Sequence, residues 1–262
     1  LLLAVSLPSS AAAVRVQLAS PSVTYLANMG VLLSGATSRV VIDGFHRGAL
    51  AEYAPLRAED QRSLEGATGA YAHLDAILIT HRHADHFQAA AVAARLAVDL
   101  HVRVIAPSEV LDSLTAFAPV LRGDPRLQVA VPGATITIGS ASVLTLDLPH
   151  NRTASRRAQN VGYLIAIDGV RVLHVGDADP DANQMRSAHG STPRADVAIV
   201  PFWYLISTKP SLMQAIGATR YLAAHIPLAD TATVKRQVSS SPSVTPLSTR
   251  GTTIALSPRQ AR

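Results

Sequence analysis

Residues 77–87 read ILITHRHADHF, an apolar run that stops at Thr80 and gives way to His81, His83, Asp85 and His86. The approach, AILIT at residues 76–80, has the length of a strand and is apolar up to its last residue, which predicts a buried strand. Four side chains of metal-ligating type follow within six residues, a density that a solvated polar turn does not require. In an extended backbone, alternate side chains point the same way, so His81 and His83 face one point. Asp85 and His86 fall at the expected start of the next helix, where the chain bends and can present them to a second point nearby. Two adjacent metal positions are therefore within reach of one loop.

Working outward, strand-like segments at residues 14–19, 23–26, 31–34 and 39–43 are separated by Pro, Asn-Met-Gly and Ser-Gly turn chemistry, which predicts an antiparallel meander. Residues 52–70 are polar with scattered Gly and read as a loop or short helix. After the His-rich segment, 88–98 is Ala-rich with Val92 and Leu96 at helical spacing, 102–106 reads as a strand and 109–117 as a helix. The second half uses the same grammar: strands near 135–138, 142–148, 162–168, 171–175 and 197–200, a helix near 212–219 and a strand at 221–224. Strands with interspersed helices in both halves predict a sandwich of two sheets flanked by helices. From Thr231 the Ser, Thr and Pro content rises, predicting a loop-like tail with a last edge strand near 252–256.

Composition narrows the chemistry. A chain of 262 residues with 48% hydrophobic and 16% charged residues is neither a disordered polymer nor a collagen-like fibre, and it is long enough to bury a full core. Any metal is then functional rather than a staple. With no Cys, thiolate nucleophiles, iron-sulfur clusters and Cys-bearing zinc sites are excluded, leaving His, Asp and Glu as ligands. The formal charge of +5 permits an anionic substrate without demanding one. After Leu205 the only acid is Asp230, so the C-terminal end is basic and reads as a solvated tail before it reads as a nucleic-acid contact. The opening LLLAVSLPSSAAA, residues 1–13, has the order of the back half of a signal peptide. The expectation is an exported protein, periplasmic or secreted, with a mature chain beginning near Val14. That stretch is too short to span a bilayer, and no other uncharged run is long enough.

The motif resembles the HxHxDH signature of the metallo-β-lactamase superfamily, matched here at every specified position. The resemblance extends to His150 in LTLDLPHN, Asp177 in RVLHVGDAD and His225 in RYLAAHIP, in the family's order, and covers residues 23–227. It implies an α/β chain of α+β type folded as an αββα sandwich of two mixed β-sheets flanked by helices. One hydrolase domain would occupy residues 14–230, between the leader at 1–13 and the basic tail at 231–262. It further implies that His81, His83 and His150 bind one metal, that Asp85, His86 and His225 bind a second, and that Asp177 bridges them. Two Zn2+ per chain are the default, although iron or manganese accept the same donors. Paired ions in such sites lie about 3.5–4 Å apart and share a water whose pKa falls to about 7. That bridging hydroxide is the nucleophile, and Asp85 is the catalytic residue that orients it or receives its proton.

Other residues carry two readings each. Asp43 ends the strand RVVID, where many members of the superfamily place a carboxylate that supports the metal loop by hydrogen bonding, or it is a strand-end turn residue. Thr80 is within reach of a ligand. His174 lies in an apolar strand and reads as a satisfied core histidine, whereas His73, His101 and His189 read as surface or loop residues. His46, in DGFHRG, is a substrate contact at the mouth or simply exposed. Arg152, with Arg156 and Arg157, either holds a phosphate or carboxylate by paired hydrogen bonds or is solvated. Trp203, in the run Phe202-Trp203-Tyr204, walls the substrate pocket or packs the core.

The resemblance implies hydrolysis of an ester, lactone or phosphodiester bond in a small-molecule substrate, anionic if the Arg cluster is used. Asp177 stands where the well-known β-lactamase groups use Cys, which sets those groups aside and looks like the lactonase, glyoxalase and phosphodiesterase branches. A β-lactam-hydrolysing enzyme or a nuclease of the same fold is the alternative. No aromatic-basic binding stretch is evident, so no stable nucleic-acid partner is expected. A non-catalytic metal- or ligand-binding protein keeping the fold would show a degraded ligand set, and this set is intact.

Overall fold

Strand patterning builds the first sheet. The computed structural model describes residues 20–48, 50–150, 158–190, 194–206, 210–239 and 241–258. In it β1 (Ser22–Ala27), β2 (Gly30–Ser34) and β3 (Arg39–Ile42) form the antiparallel meander expected from their turns. The polar segment that follows supplies α1 (Ala58–Glu65). Then β4 (Ala76–Leu78), α2 (Ala89–Val98), β5 (Arg103–Ala106), α3 (Ser108–Phe117) and β6 (Leu127–Val129) run on, with β3 to β6 parallel. The expected strand at 14–19 and the leader before it lie outside the described residues.

The second half repeats this plan. Strands β7 (Thr135–Ile138), β8 (Ala141–Leu146), β9 (Gly162–Ile167) and β10 (Val170–His174) are an antiparallel meander. Helix α4 (Ala182–His189), β11 (Val197–Pro201), α5 (Trp203–Ile206), α6 (Pro210–Ile216), β12 (Arg220–Ala224), α7 (Thr231–Val238) and β13 (Val244–Pro246) follow, and β10 to β13 are parallel. The last strand, β14 (Thr253–Ala255), returns to pair antiparallel with β1. Among the described residues two seven-stranded mixed sheets result, ordered β14-β1-β2-β3-β4-β5-β6 and β13-β12-β11-β10-β9-β8-β7.

The sheets pack face to face with helices outside. On β4, Ala76 and Leu78 enter the core between the sheets with Ile42, Ile165, Val172 and Ile199. Ile77 and Ile79 point the other way, into a second core with Val92, Leu96, Val110 and Leu114 of the helices. Burial on both faces is why this strand reads as an unbroken apolar run. A third core sets Leu173, Ala198 and Val200 of the second sheet against Met185, Leu212 and Ile216. The fold is an αββα sandwich, as the resemblance implied.

One polar side chain stitches the two sheets together beside the metal motif. Tyr163 on β9 is fully buried, and its hydroxyl donates to the carbonyls of Ile79, 2.9 Å, and Ile105, 3.1 Å. Both acceptors belong to the first sheet, so the bond ties the exits of β4 and β5 to the facing sheet.

Three expectations need correction. The segment from Thr231, expected as loop and edge strand, also supplies α7 and β13, because Val234 and Val238, one turn apart, bury against Ala223 and Ile226. That stripe is too sparse to stand out in a Ser- and Thr-rich window. His189 is 3% exposed rather than on the surface, since α4 packs beside α6 over the third core. His73 and His101 are exposed as expected. Asp85 and His86 lie not in the first turn of α2 but in a separate turn closed by the amides of His86 and Phe87 donating to the His83 carbonyl. No helix among the described residues is long and apolar enough to cross a membrane.

Replacing Tyr163 with Phe keeps the ring and removes the bridging hydroxyl. Urea unfolding of Tyr163→Phe should show a loss of about 1–2 kcal/mol, the magnitude for a buried hydrogen bond; an unchanged midpoint would remove the hydroxyl from the account of how the sheets are joined.

Candidate metal centre

The parallel strands of both sheets deliver their carboxyl ends to one region, where open α/β sheets habitually carry their ligands. Asp43 follows β3, His81 and His83 follow β4, Asp177 follows β10, and His225 follows β12. His150 comes from the connection after β8 and is held by a bridge to Ala178. Side chains separated by as many as 144 positions among the seven, His81 to His225, and by 182 counting Asp43, thereby converge.

Two groups form within this convergence. His81, His83, His150 and Asp177 make one, and Asp85, His86 and His225 the other, with the potential ligand atoms of each group lying within 4.8 Å of one another. The Asp177 carboxylate stands between them: its Oδ2 is 3.2 Å from His225 Nε2, 3.4 Å from His86 Nε2, and 3.8 Å from Nε2 of both His81 and His150. Asp85 Oδ2 is 3.3 Å from His225 Nε2 and 3.6 Å from His86 Nε2. All seven residues singled out in the sequence are thus brought together.

Surrounding groups fix the orientation of these side chains. His86 Nδ1 lies 2.9 Å from Asp43 Oδ2, which directs His86 Nε2 toward the carboxylates. Asp43 also accepts from the Thr80 amide, 2.8 Å, and hydroxyl, 2.6 Å, while Thr80 Oγ1 sits 3.0 Å from His81 Nδ1. Asp43 and Thr80 thus hydrogen-bond one another and the imidazoles of His86 and His81. Metal-ligating imidazoles typically use their second nitrogen in this way. Gly176 precedes Asp177 at φ 57, and a Cβ there would stand 2.4 Å from Asn160 Oδ1 and 2.7 Å from Thr80, so only Gly fits.

Three contributors were not read from the sequence. Asn28 donates from Nδ2 to Asp85 Oδ2 at 2.9 Å, Asn160 Oδ1 accepts the Asp177 amide at 3.1 Å, and Tyr53 packs edge-on against His225 with ring centroids 4.3 Å apart. Asn28 had the signature of a turn residue, which it also is, at φ 50. Nothing local marks the other two. Trp203 makes another ring contact with His225, centroids 5.0 Å apart, and also packs against the third core. His46 is only 1% exposed, which overturns plain exposure; Phe45 bridges Phe87, and the imidazole lies buried beside the metal loop. Burial pushes its imidazole down to about 4, keeping it neutral. His174 is a satisfied core residue, with Nε2 3.0 Å from the Met29 carbonyl. Arg152, Arg156 and Arg157 lie outside the described residues.

Electrostatically the cluster is a cation trap. Burial alone would neutralise Asp177 and Asp85, yet the neighbouring His225 and His86 hold Asp177 well below the carboxylate range, and His86 and His225 hold Asp85 below it. Burial opposes charge on His225 too, but Asp177 outweighs it and raises the imidazole to about 9; His86 rises for the same reason, with Asp85 and Asp43 added. His81 is pushed well down by burial and by His86. In the absence of metal, protons on His86 and His225 thus balance the carboxylates. The donor set fits metal: among the described residues, Asp177 Oδ1 is buried with no hydrogen-bond partner, and His86 Nε2 has no partner of bonding geometry. Imidazole and carboxylate together suit zinc, iron or manganese.

Paired His/Asp clusters at the strand ends of an αββα sandwich define a metal-dependent hydrolase of the metallo-β-lactamase class. A family model for the beta-lactamase superfamily domain matches residues 38–240, and the chain belongs to that family. A metal-dependent hydrolase of Archaeoglobus fulgidus is 27% identical over 186 residues, spanning 68% of this chain and 70% of its own. Among solved structures, Igni18, a metallo hydrolase from the hyperthermophilic archaeon Ignicoccus hospitalis, superposes with a TM-score of 0.65 at 17% identity, covering 92% of this chain and 100% of that one. CmlA, a diiron β-hydroxylase from Streptomyces venezuelae, superposes with a TM-score of 0.61 at 16% identity over 91% of this chain and 54% of its own.

Asp43→Asn should weaken metal binding about 10- to 100-fold through loss of the His86 and Thr80 contacts, read by competition with a chromophoric chelator; undiminished affinity would leave Asp43 a turn residue only. Because metal must displace protons from His86 and His225, uptake should release protons and tighten as pH rises from 6 to 9. Calorimetry in buffers of differing ionisation enthalpy measures this release, and a pH-independent affinity would contradict the protonated apo state.

Proposed function

We propose that the two clusters each hold a metal ion, with Asp177 shared between them, and that the protein hydrolyses an ester, lactone or phosphodiester bond of a small-molecule substrate. The observation that carries this reading is the position of Asp177 Oδ2, between 3.2 and 3.8 Å from imidazole nitrogens of both groups. His81, His83 and His150 would hold one ion and Asp85, His86 and His225 the other. Zinc is the default, and the diiron relative in this fold makes iron the natural second choice. Bound there, a metal pair supplies a hydroxide nucleophile at neutral pH and polarises the oxygen of the scissile bond.

The chain's own residues do the remaining work. Asp85, kept ionised by His86 and His225 and steered by Asn28, orients the attacking water and accepts its proton. Asp43 and Thr80 keep His86 and His81 aimed. Tyr53 and Trp203 flank His225 and form an aromatic wall on its side of the centre, against which a substrate can lie. We further propose export, on the strength of LLLAVSLPSSAAA at residues 1–13, with a mature start near Val14 that sequencing the N-terminus of the secreted or periplasmic product would test.

The deciding experiment is hydrolysis of matched chromogenic phosphodiester, lactone, ester and β-lactam substrates, with and without prior chelation. Chelator-sensitive turnover of one class is expected and names the bond. Asp85→Ala should lower kcat by about 100-fold or more while the unfolding midpoint stays near that of the parent; unchanged turnover would refute the role of Asp85.

A further inference from the structure

A cavity of about 430 Å³ opens beside the His150 edge of the metal centre, lined among the described residues by residues 129–132, the start of α3, Asp147, Pro149 and residues 158–161. Its size falls in the range of about 300–1,000 Å³ usual for small-molecule pockets. Three of its lining residues also hold the metal centre. Pro149 directly precedes His150, Asn160 accepts the Asp177 amide at 3.1 Å, and the Val161 amide donates to the carbonyl of Thr80, the residue before His81, at 3.0 Å. The cavity therefore shares wall residues with the metal centre, next to His150.

Its chemistry is apolar and unpartnered. Val129, at the end of the edge strand β6, and Val131 just after it line the cavity and are 50% and 53% exposed to water. The polar groups of the wall are occupied among themselves: Asn160 Nδ2 donates to the carbonyls of Leu148, 2.6 Å, and Val175, 3.1 Å, and Ser108 bonds Gln159 at 3.1 Å. No buried polar side-chain atom of the described lining residues lacks a partner. Asp147 is the one charged residue among them, and its carboxylate disfavours a second anion.

We propose that this cavity receives an uncharged apolar arm of the substrate, an acyl or alkyl chain attached to the bond that is cleaved at the metals. The proposal rests on the hydrolase reading above and narrows its substrate to esters, thioesters or lactones bearing such a chain. Val131, at the open side, is the residue whose replacement by Asp alters the cavity with least risk to folding, and Val129→Asp is an independent second variant.

The test has two arms. In the first, kcat/KM is measured for p-nitrophenyl acetate, butanoate, hexanoate and octanoate with metal-loaded protein. Burial of each methylene should raise it about fourfold until the cavity is filled, and the rise should flatten in Val131→Asp and Val129→Asp. A flat profile in the parent, or the same rise in both variants, overturns the proposal. In the second arm, hexan-1-ol binding is followed by calorimetry, with no turnover required. Saturable binding that both variants lose supports the cavity assignment, and absence of saturable binding to the parent overturns it. If no ester is cleaved, it is the ester-hydrolase reading that fails, while the alcohol arm still decides the cavity.

Discussion

The Asp177 carboxylate, buried among imidazoles from both sheets, is the constraint around which the centre is organised. Two ionised carboxylates and several histidines cannot be sealed from water without compensating positive charge, because an unpaired buried charge costs several kcal/mol even after relaxation. Here the compensation is either protons on His86 and His225 or metal ions in their place. A cluster balanced in this way is poised to exchange protons for cations, which is the electrostatic basis of metal uptake.

Holding such a cluster requires a rigid frame, and the frame is the pair of parallel strand bundles. Both sheets send carboxyl ends toward the same edge, and Tyr163 joins them where β4 and β5 finish. Each connecting loop then needs only a few residues to place its ligand. The local cost appears as backbone in the left-handed region at Asn28, Asp43 and His225. Non-glycine residues in that region are uncommon and concentrate at functional sites. Asn28 and Asp43 make their hydrogen bonds to Asp85 and His86 from these turns.

Around this centre the two sides differ. Toward His225 stand Tyr53 and Trp203, flat aromatic faces. Toward His150 lies the apolar cavity next to the edge strand β6. A substrate bound across the metals would meet an aromatic wall on one side and an aliphatic recess on the other. Selectivity in this fold therefore comes from loops and strand edges outside the ligand set, and shared ligands do not by themselves set the substrate.

By itself the sequence marked the strand entering the motif and His81, His83, Asp85 and His86 at its exit, because an apolar run followed by clustered His and Asp is a local signal. His150, Asp177 and His225 were named through the resemblance, by their order along the chain, and β6, α4 and β13 were not read from the sequence. It also indicated Asp43 and Thr80, which lie next to or at the end of those strands. Only the tertiary structure decided that His46 is buried, that Asn28, Tyr53 and Asn160 join the site, and that residues after Thr231 also supply α7 and the strand β13 that ends the second sheet. These outcomes depend on which loops and strands become neighbours across the sandwich. That proximity is set by packing two sheets face to face, and a side chain's own sequence neighbours carry no record of it.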